Sequence, residues 1–265
     1  MSADSSSRLL RLNKAIADSG RCSRRKADEL IAQGRVQVNG LLVQEMGLKI
    51  TPGQDRIQVD GHLLQSEGKA RSGHIYILLH KPVQVVSTAR DPQGRTTVLD
   101  LLPSALRRHR PVPVGRLDYF SEGLLLLTTD GDLVYRLTHP SWHIPKVYNV
   151  LVRGRVTTEK LQQIEQGMHL AEGEKLAPVQ VSARQAGKET TWLSMRLIQG
   201  IKRQIRRMCR DLDLTILKLI RIQEGSLLLR DLPSGQFREL SAHEVSALRA
   251  EVGMEKEAHS FETER

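Results

Sequence analysis

PVGRLDYFSEGLLLLTTDG, Pro113 to Gly131, puts an arginine and an aspartate at the end of one apolar run and opens a second apolar run at Leu124. Alternate strand positions place Arg116 and Asp118 on one face, and the polar break with Glu122 and Gly123 separates the two strands. An aspartate at such a strand-to-loop boundary is held firmly yet stays accessible, as an ionised nucleophile or base requires. The same residues also describe an Arg-Asp pair that fixes a turn.

Two downstream segments offer partners for that aspartate. PKVYNVLVRG alternates Lys146 and Tyr148 with Val147 and Asn149, delivering one aromatic ring beside a cation. From the pattern alone, Tyr148 reads equally as a sheet-packing or a base-stacking ring. QGIKRQIRRMCR predicts a helix over Lys202 to Asp211, with Lys202, Arg206 and Arg210 on one stripe and Arg203 and Arg207 on its neighbour. Gly200 and the apolar strand before it aim the start of that helix at one place, so phosphate binding is favoured over a purely solvated face.

Around these segments, residues 74–250 carry many short strand patterns, HIYILLHKPVQVVST, VPVGRLD, GLLLLTT, APVQVSA, TTWLSMRLI, LKLIRI and SLLLRDL among them. Helices are expected at Gly131 to Leu137, Thr158 to Gln166 and Ala242 to Ala250. The reading is an α+β unit built on a mixed, mostly antiparallel sheet.

The region 8–61 reads as a separate small module. Leu9, Leu12 and Ile16, then Ala27, Leu30 and Ile31, recur at helical spacing, with Ser23 as N-cap and Gly34 as stop. Val36 and Val38 then alternate before Asn39-Gly40, a hairpin signal, and a strand around DRIQVDG closes the module. Arg21, Arg24, Arg25, Lys26 and Arg35 cluster at its second helix, where phosphates could meet both cations and free amides. Residues 62–73 are polar, without period, and read as a linker; 251–265 read as a flexible acidic tail.

The composition sets the class of partner. Lys and Arg number 40 against 30 Asp and Glu in 265 residues, a charge of +10 that makes a polyanion the first candidate. Aromatics are 3% of the chain, too few for an extended base-stacking platform. Cys22 and Cys209 are the only cysteines, which excludes a disulfide scaffold and every four-thiolate zinc site. No Gly-rich phosphate loop, HExxH helix or secretory signal pattern is present, and the apolar runs are too short to cross a bilayer. The expectation is a cytoplasmic monomer with no membrane partner.

RLNKAIADSGRCSRRKADELIAQGRVQVNG resembles the S4 RNA-binding module, and GRLDYFSEGLLLLTTDG resembles the catalytic motif of the bacterial S4-containing ribosomal RNA pseudouridine synthases. KVY and GIKRQIRRM lie where that family places its remaining active-site segments, in the same order. The resemblance covers Arg8 to about Leu248. It implies an S4-type helix-helix-hairpin domain followed by a pseudouridine synthase catalytic domain.

It also implies roles. Asp118 matches the catalytic aspartate, Tyr148 the tyrosine that stacks on the target base, and Arg206 the basic residue that pairs with the aspartate. Leu219 matches the apolar residue beneath the uracil, and Arg116 the arginine that supports the flipped nucleotide. Arg21, Arg24, Arg25, Lys26, Arg35, Lys202, Arg203, Arg207 and Arg210 are the expected RNA contacts. No cofactor and no metal are expected, because the isomerisation has no net oxidation or group donor.

The expected partner is structured ribosomal RNA or a pre-ribosomal particle, with large-subunit RNA favoured over small-subunit RNA. A non-catalytic RNA-binding assembly factor is the rival reading, and the Asp118, Tyr148 and Arg206 set favours the enzyme. Phe120 and Ser121 replace an acidic residue and Thr common in the family. Gln199, Gly200 and Lys202 replace a Glu-Gly pair followed by Asn. Ser121 keeps a hydroxyl, whereas Phe120 adds an apolar ring beside the site.

Overall fold

The computed structural model describes residues 9–64 and 73–254, in two compact units that divide between Gly73 and His74. The first unit runs β1 (Leu10–Arg11), α1 (Leu12–Asp18), α2 (Arg24–Ala32), β2 (Val36–Val38), β3 (Leu41–Val43), β4 (Lys49–Ile50), β5 (Ile57–Val59) and β6 (His62–Leu63).

Ser23 caps α2 by accepting from the Lys26 amide, and Gly34, at φ +68°, turns the chain out of it. Asn39 and Gly40 both take positive φ, the geometry of a two-residue turn whose twist matches the β2–β3 hairpin. Leu12, Ile16, Ala27, Leu30 and Ile31 close a core with Val36, Ile57 and Val59. Two boundaries differ from the sequence reading. Leu9 is 58% exposed and precedes the helix, because Leu10 and Arg11 pair with β4 instead. His62 and Leu63, read as linker, pair with β5; residues 65–72 lie outside the described residues.

The second unit continues with β7 (Tyr76–Lys81), α3 (Ser104–Arg107), β8 (Val112–Pro113), β9 (Glu122–Thr128), α4 (Gly131–Thr138), β10 (Lys146–Arg153) and α5 (Thr158–Gln166). It ends with β11 (Gln180–Gln185), β12 (Thr190–Leu197), α6 (Gln204–Asp211), β13 (Thr215–Glu224), β14 (Leu227–Leu228), β15 (Phe237–Glu239) and α7 (Ala242–Glu251). One sheet, β11-β12-β10-β13-β9-β7-β15, carries the unit, with β8 on β9 and β14 on β13. Its pairs are antiparallel except β9 with β13, so the expected mixed, mostly antiparallel α+β architecture is what forms.

The four leucines of β9 explain how the sheet is covered. Leu124 and Leu126 pack under α4 and α7, while Leu125 and Leu127 face a second cluster with Val85, Val98 and Leu102. A strand covered on both faces loses the polar alternation of a half-exposed one. A third cluster, under α5 and α6, buries Val150, Val152, Leu193, Met195 and Leu219. Residues 251–254 correct the expected tail boundary: Glu251 completes α7, Val252 is fully buried and its carbonyl accepts from Arg136 at 2.6 Å. The remainder of the expected tail, 255–265, lies outside the described residues.

Cys209 sits in the α6 core, where burial pushes its thiol from near 9 up to about 12. The folded chain therefore holds this proton through a range in which the unfolded chain has lost it. This contribution to stability is intact below pH 9 and is lost progressively as pH rises from 9 towards 12. At pH 8, a thiol reagent added to native protein is expected to leave Cys209 unmodified and to label it promptly after denaturation; peptide mapping reads the result. Prompt labelling in the native state would contradict this burial.

Candidate active site

Asp118 is presented by a loop, not by a strand. β8 ends at Pro113, and Gly115, at φ +69°, turns the chain so that Arg116 and Asp118 do not share a strand face. Val114 and Leu117 are buried anchors on either side of the turn.

The loop is held by its own carbonyls. Leu117 accepts from the Ser87 hydroxyl (2.9 Å), Asp118 from the Ser121 amide (3.0 Å) and Tyr119 from the Gln84 amide (2.7 Å). Phe120 accepts from Arg206 Nη2 (2.7 Å) and Ser121 from Lys81 Nζ (2.8 Å). Every carbonyl from Leu117 to Ser121 thus has a donor, which fixes the backbone beneath an accessible carboxylate.

Two guanidiniums face that carboxylate. Arg203 Nη1 lies 3.5 Å and Arg206 Nε 3.7 Å from Asp118 Oδ2, and the Asp118 side chain is 35% exposed. Arg206 also donates to the Ser121 hydroxyl at 3.0 Å, while its buried Nε has no hydrogen-bond partner. The carboxylate is oriented by the two cations, with Oδ2 accepting from Arg203 Nη1, and stays accessible for chemistry.

Lys81 lies beneath the loop, wholly buried, with Nζ donating to the Pro82 and Ser121 carbonyls at 2.8 Å each. Burial pushes its ammonium down to about 8, against the opposing pull of Asp118 and Glu122. Tyr148 stands half-buried on β10, where the α5–α6 cluster meets the cluster around Val98. Burial raises its phenol pKa, and the charge of Arg221 opposes that rise. Arg221 is paired across the sheet with Tyr148 and is 2% exposed; its Nε donates to the Leu124 carbonyl at 2.7 Å. Leu219 pairs with Val150, on the same face as Tyr148 and Arg221. Gly123 takes φ +113° beside this pair, and a Cβ there would collide with the Arg221 backbone.

The other expected contacts separate. Arg116 is exposed and makes no ion pair or hydrogen bond among the described residues. α6 begins at Gln204, after Arg203 at φ +54°, so exposed Lys202 is not on the helical stripe. Arg203 turns to Asp118, whereas Arg207 binds Glu172 and Glu174, and Arg210 binds Glu172 and Asp211. In the first unit Arg35 and Arg21 converge on Asp60, and Lys26 reaches Glu29. Arg24 and Arg25 are exposed without a partner among the described residues.

Lys81, Ser87 and Arg221 escaped the sequence reading as site residues, and Ser121 was noted only for its hydroxyl. A visible signal existed for two of them: Lys81 ends the apolar run YILLH, and Arg221 occupies an inward-facing position two residues after Leu219.

Comparison with known proteins gives the family. The family model described as RNA pseudouridylate synthase matches residues 75–211. The chain belongs to the RNA pseudouridine synthase family.

The S4 domain model matches residues 10–57, the first unit of this pseudouridine synthase. The chain is 42% identical to ribosomal large subunit pseudouridine synthase B of Bacillus subtilis, over 91% of this chain and 96% of that protein. It is 37% identical to an RNA pseudouridine synthase of Aquifex aeolicus, over 92% and 96% respectively. A solved pseudouridylate synthase structure superposes with a TM-score of 0.63 at 27% identity, covering 90% of this chain and 99% of that one.

Proposed function

We propose that this synthase isomerises one uridine of large-subunit ribosomal RNA. The observation that carries the chemistry is Asp118, an accessible carboxylate faced by Arg203 and Arg206 on a loop whose carbonyls all have donors. The choice of RNA is supported by the relatives named ribosomal large subunit pseudouridine synthase B, the Bacillus subtilis protein at 42% identity among them.

In the reaction the N1–C1′ bond breaks, uracil turns, and a C5–C1′ bond replaces it; the C5 proton leaves and N1 gains a proton. Asp118 acts as a carboxylate, either attacking C1′ or removing a sugar proton, and the two guanidiniums orient it for that step. The target base must leave its stack, at a cost of roughly a few kcal/mol that basic contacts offset. Tyr148 covers one face of the extruded base and Leu219 supports the pocket, while Arg206 keeps Asp118 aligned.

Mapping pseudouridines in ribosomal RNA from cells with and without the gene tests this. The expected result is loss of one pseudouridine from 23S RNA, restored by incubating that RNA with the purified chain. A lost site in 16S RNA would move the substrate to the small subunit, and unchanged maps of both RNAs would sink the reading.

A further inference from the structure

The sheet that carries Tyr148 has a second face over β11, β12, β10 and β13. Val150, Leu193, Met195 and Leu219 point into the α5–α6 core, so the alternate residues of these strands point the other way. The register aligns them in rows. One row runs Arg184, Trp192, Leu151, Lys218, directly paired from strand to strand. The next runs Ser182, Ser194, Asn149, Ile220. A shallow cavity of about 500 Å³ lies over the two rows, lined by Asn149, Ser182, Arg184, Trp192, Ser194 and Ile220.

Charge decides what such a face accepts. Arg153, Arg184, Arg196 and Lys218 are exposed around it, and none of their side chains has an ion pair or hydrogen bond among the described residues. This contrasts with Arg207 and Arg210 on α6, which carry their own carboxylate partners. The carboxylates at the margins are Glu122, paired with Ile220 on β9, and Glu189 in the β11–β12 turn.

At the centre the half-buried Trp192 indole offers a stacking surface, and Ser182, Ser194 and Asn149 offer short donors and acceptors. Arg184 and Lys218 are three strand spacings apart, roughly 14 Å. Unpaired cations flanking one ring and small polar groups suit an unstacked polynucleotide, whose phosphates and bases need both.

We infer that this outer sheet face is a second RNA-binding surface, which takes an unpaired segment of RNA with one base stacked on Trp192 and its phosphates on Arg184 and Lys218. The inference rests on an RNA substrate for the chain, and it concerns a face opposite the one that Tyr148 and Leu219 occupy.

The probe is an unstructured twelve-nucleotide oligouridylate titrated into the full chain, read by tryptophan fluorescence. The chain has two tryptophans, and Trp142 is common to wild type and Trp192→Phe. Quenching in wild type that disappears in Trp192→Phe is expected. Arg184→Glu combined with Lys218→Glu should raise the midpoint at least about tenfold and flatten its salt dependence. Trp192→Ala should weaken binding, followed by anisotropy of labelled RNA, by at least about fivefold.

Identical quenching in wild type and Trp192→Phe, or a midpoint unmoved by charge reversal in a chain with unchanged circular dichroism, overturns the inference. Pseudouridine formation on ribosomal RNA is measured with the same preparations. Chains that bind the oligomer through Trp192 yet form no pseudouridine would refute the proposed function and leave the surface standing.

Discussion

Asp118→Asn is expected to abolish pseudouridine formation while leaving the fold and RNA affinity intact. The carboxamide has nearly the shape of the carboxylate but can neither attack C1′ nor remove a sugar proton, so the loss should be at least about 10⁴-fold. The loop should survive, because its carbonyls are held by Ser87, the Ser121 amide, the Gln84 amide, Arg206 and Lys81 and not by the Asp118 side chain. The ion pairs lost are at 3.5 and 3.7 Å and involve a partly exposed carboxylate, so stability should change by no more than about 1 kcal/mol. Uridine labelled with tritium at C5 provides the assay, since that hydrogen is released when C5 bonds to C1′. Release by the variant near the wild-type rate would remove Asp118 from the chemistry.

Arg221→Met is expected to produce the largest loss of stability. The guanidinium is 2% exposed, donates to the Leu124 carbonyl at 2.7 Å and lies 3.3 Å from Glu224, whose side chain is 3% exposed. Without it, Lys146, at 3.4 Å, is the ion-pair partner left to Glu224 among the described residues, and the Leu124 carbonyl loses this donor. Leaving a buried charge undercompensated costs about 3 kcal/mol, which lowers the melting transition of the catalytic unit by roughly 6 to 12 °C. Adding Glu224→Gln should recover part of the loss, because it removes the stranded charge. No recovery in the double variant, followed by circular dichroism on heating, would show that packing and not charge sets the cost.

Much of this site was legible because the chemistry sits in short, ordered segments. Asp118, Tyr148, Arg206 and Leu219 were named through the resemblance of their segments to one family, and the fold brings Arg206 to Asp118 and Leu219 to the face of Tyr148, while Ser23, Gly34 and Asn39-Gly40 marked real boundaries in the first unit. Partners distant in sequence were not legible. Arg207 and Arg210 read as free cations because Glu172 and Glu174 belong to the segment after α5. Arg116 and Asp118 read as strand neighbours because alternation takes no account of a positive φ at Gly115.

The amino-acid sequence by itself determined the family, the two-unit order and the sign of the partner's charge. These depend on local motifs and on periodicity, which survive without knowledge of contacts. Tertiary structure alone decided which cations are free and which are spent. It buried Lys81 under the Asp118 loop, set Arg221 against Tyr148 and Glu224, and lined up Arg184, Trp192, Leu151 and Lys218 from four separate strands. A charge's availability depends on its distance to the nearest opposite charge and on its exposure to water, and both are properties of folded space.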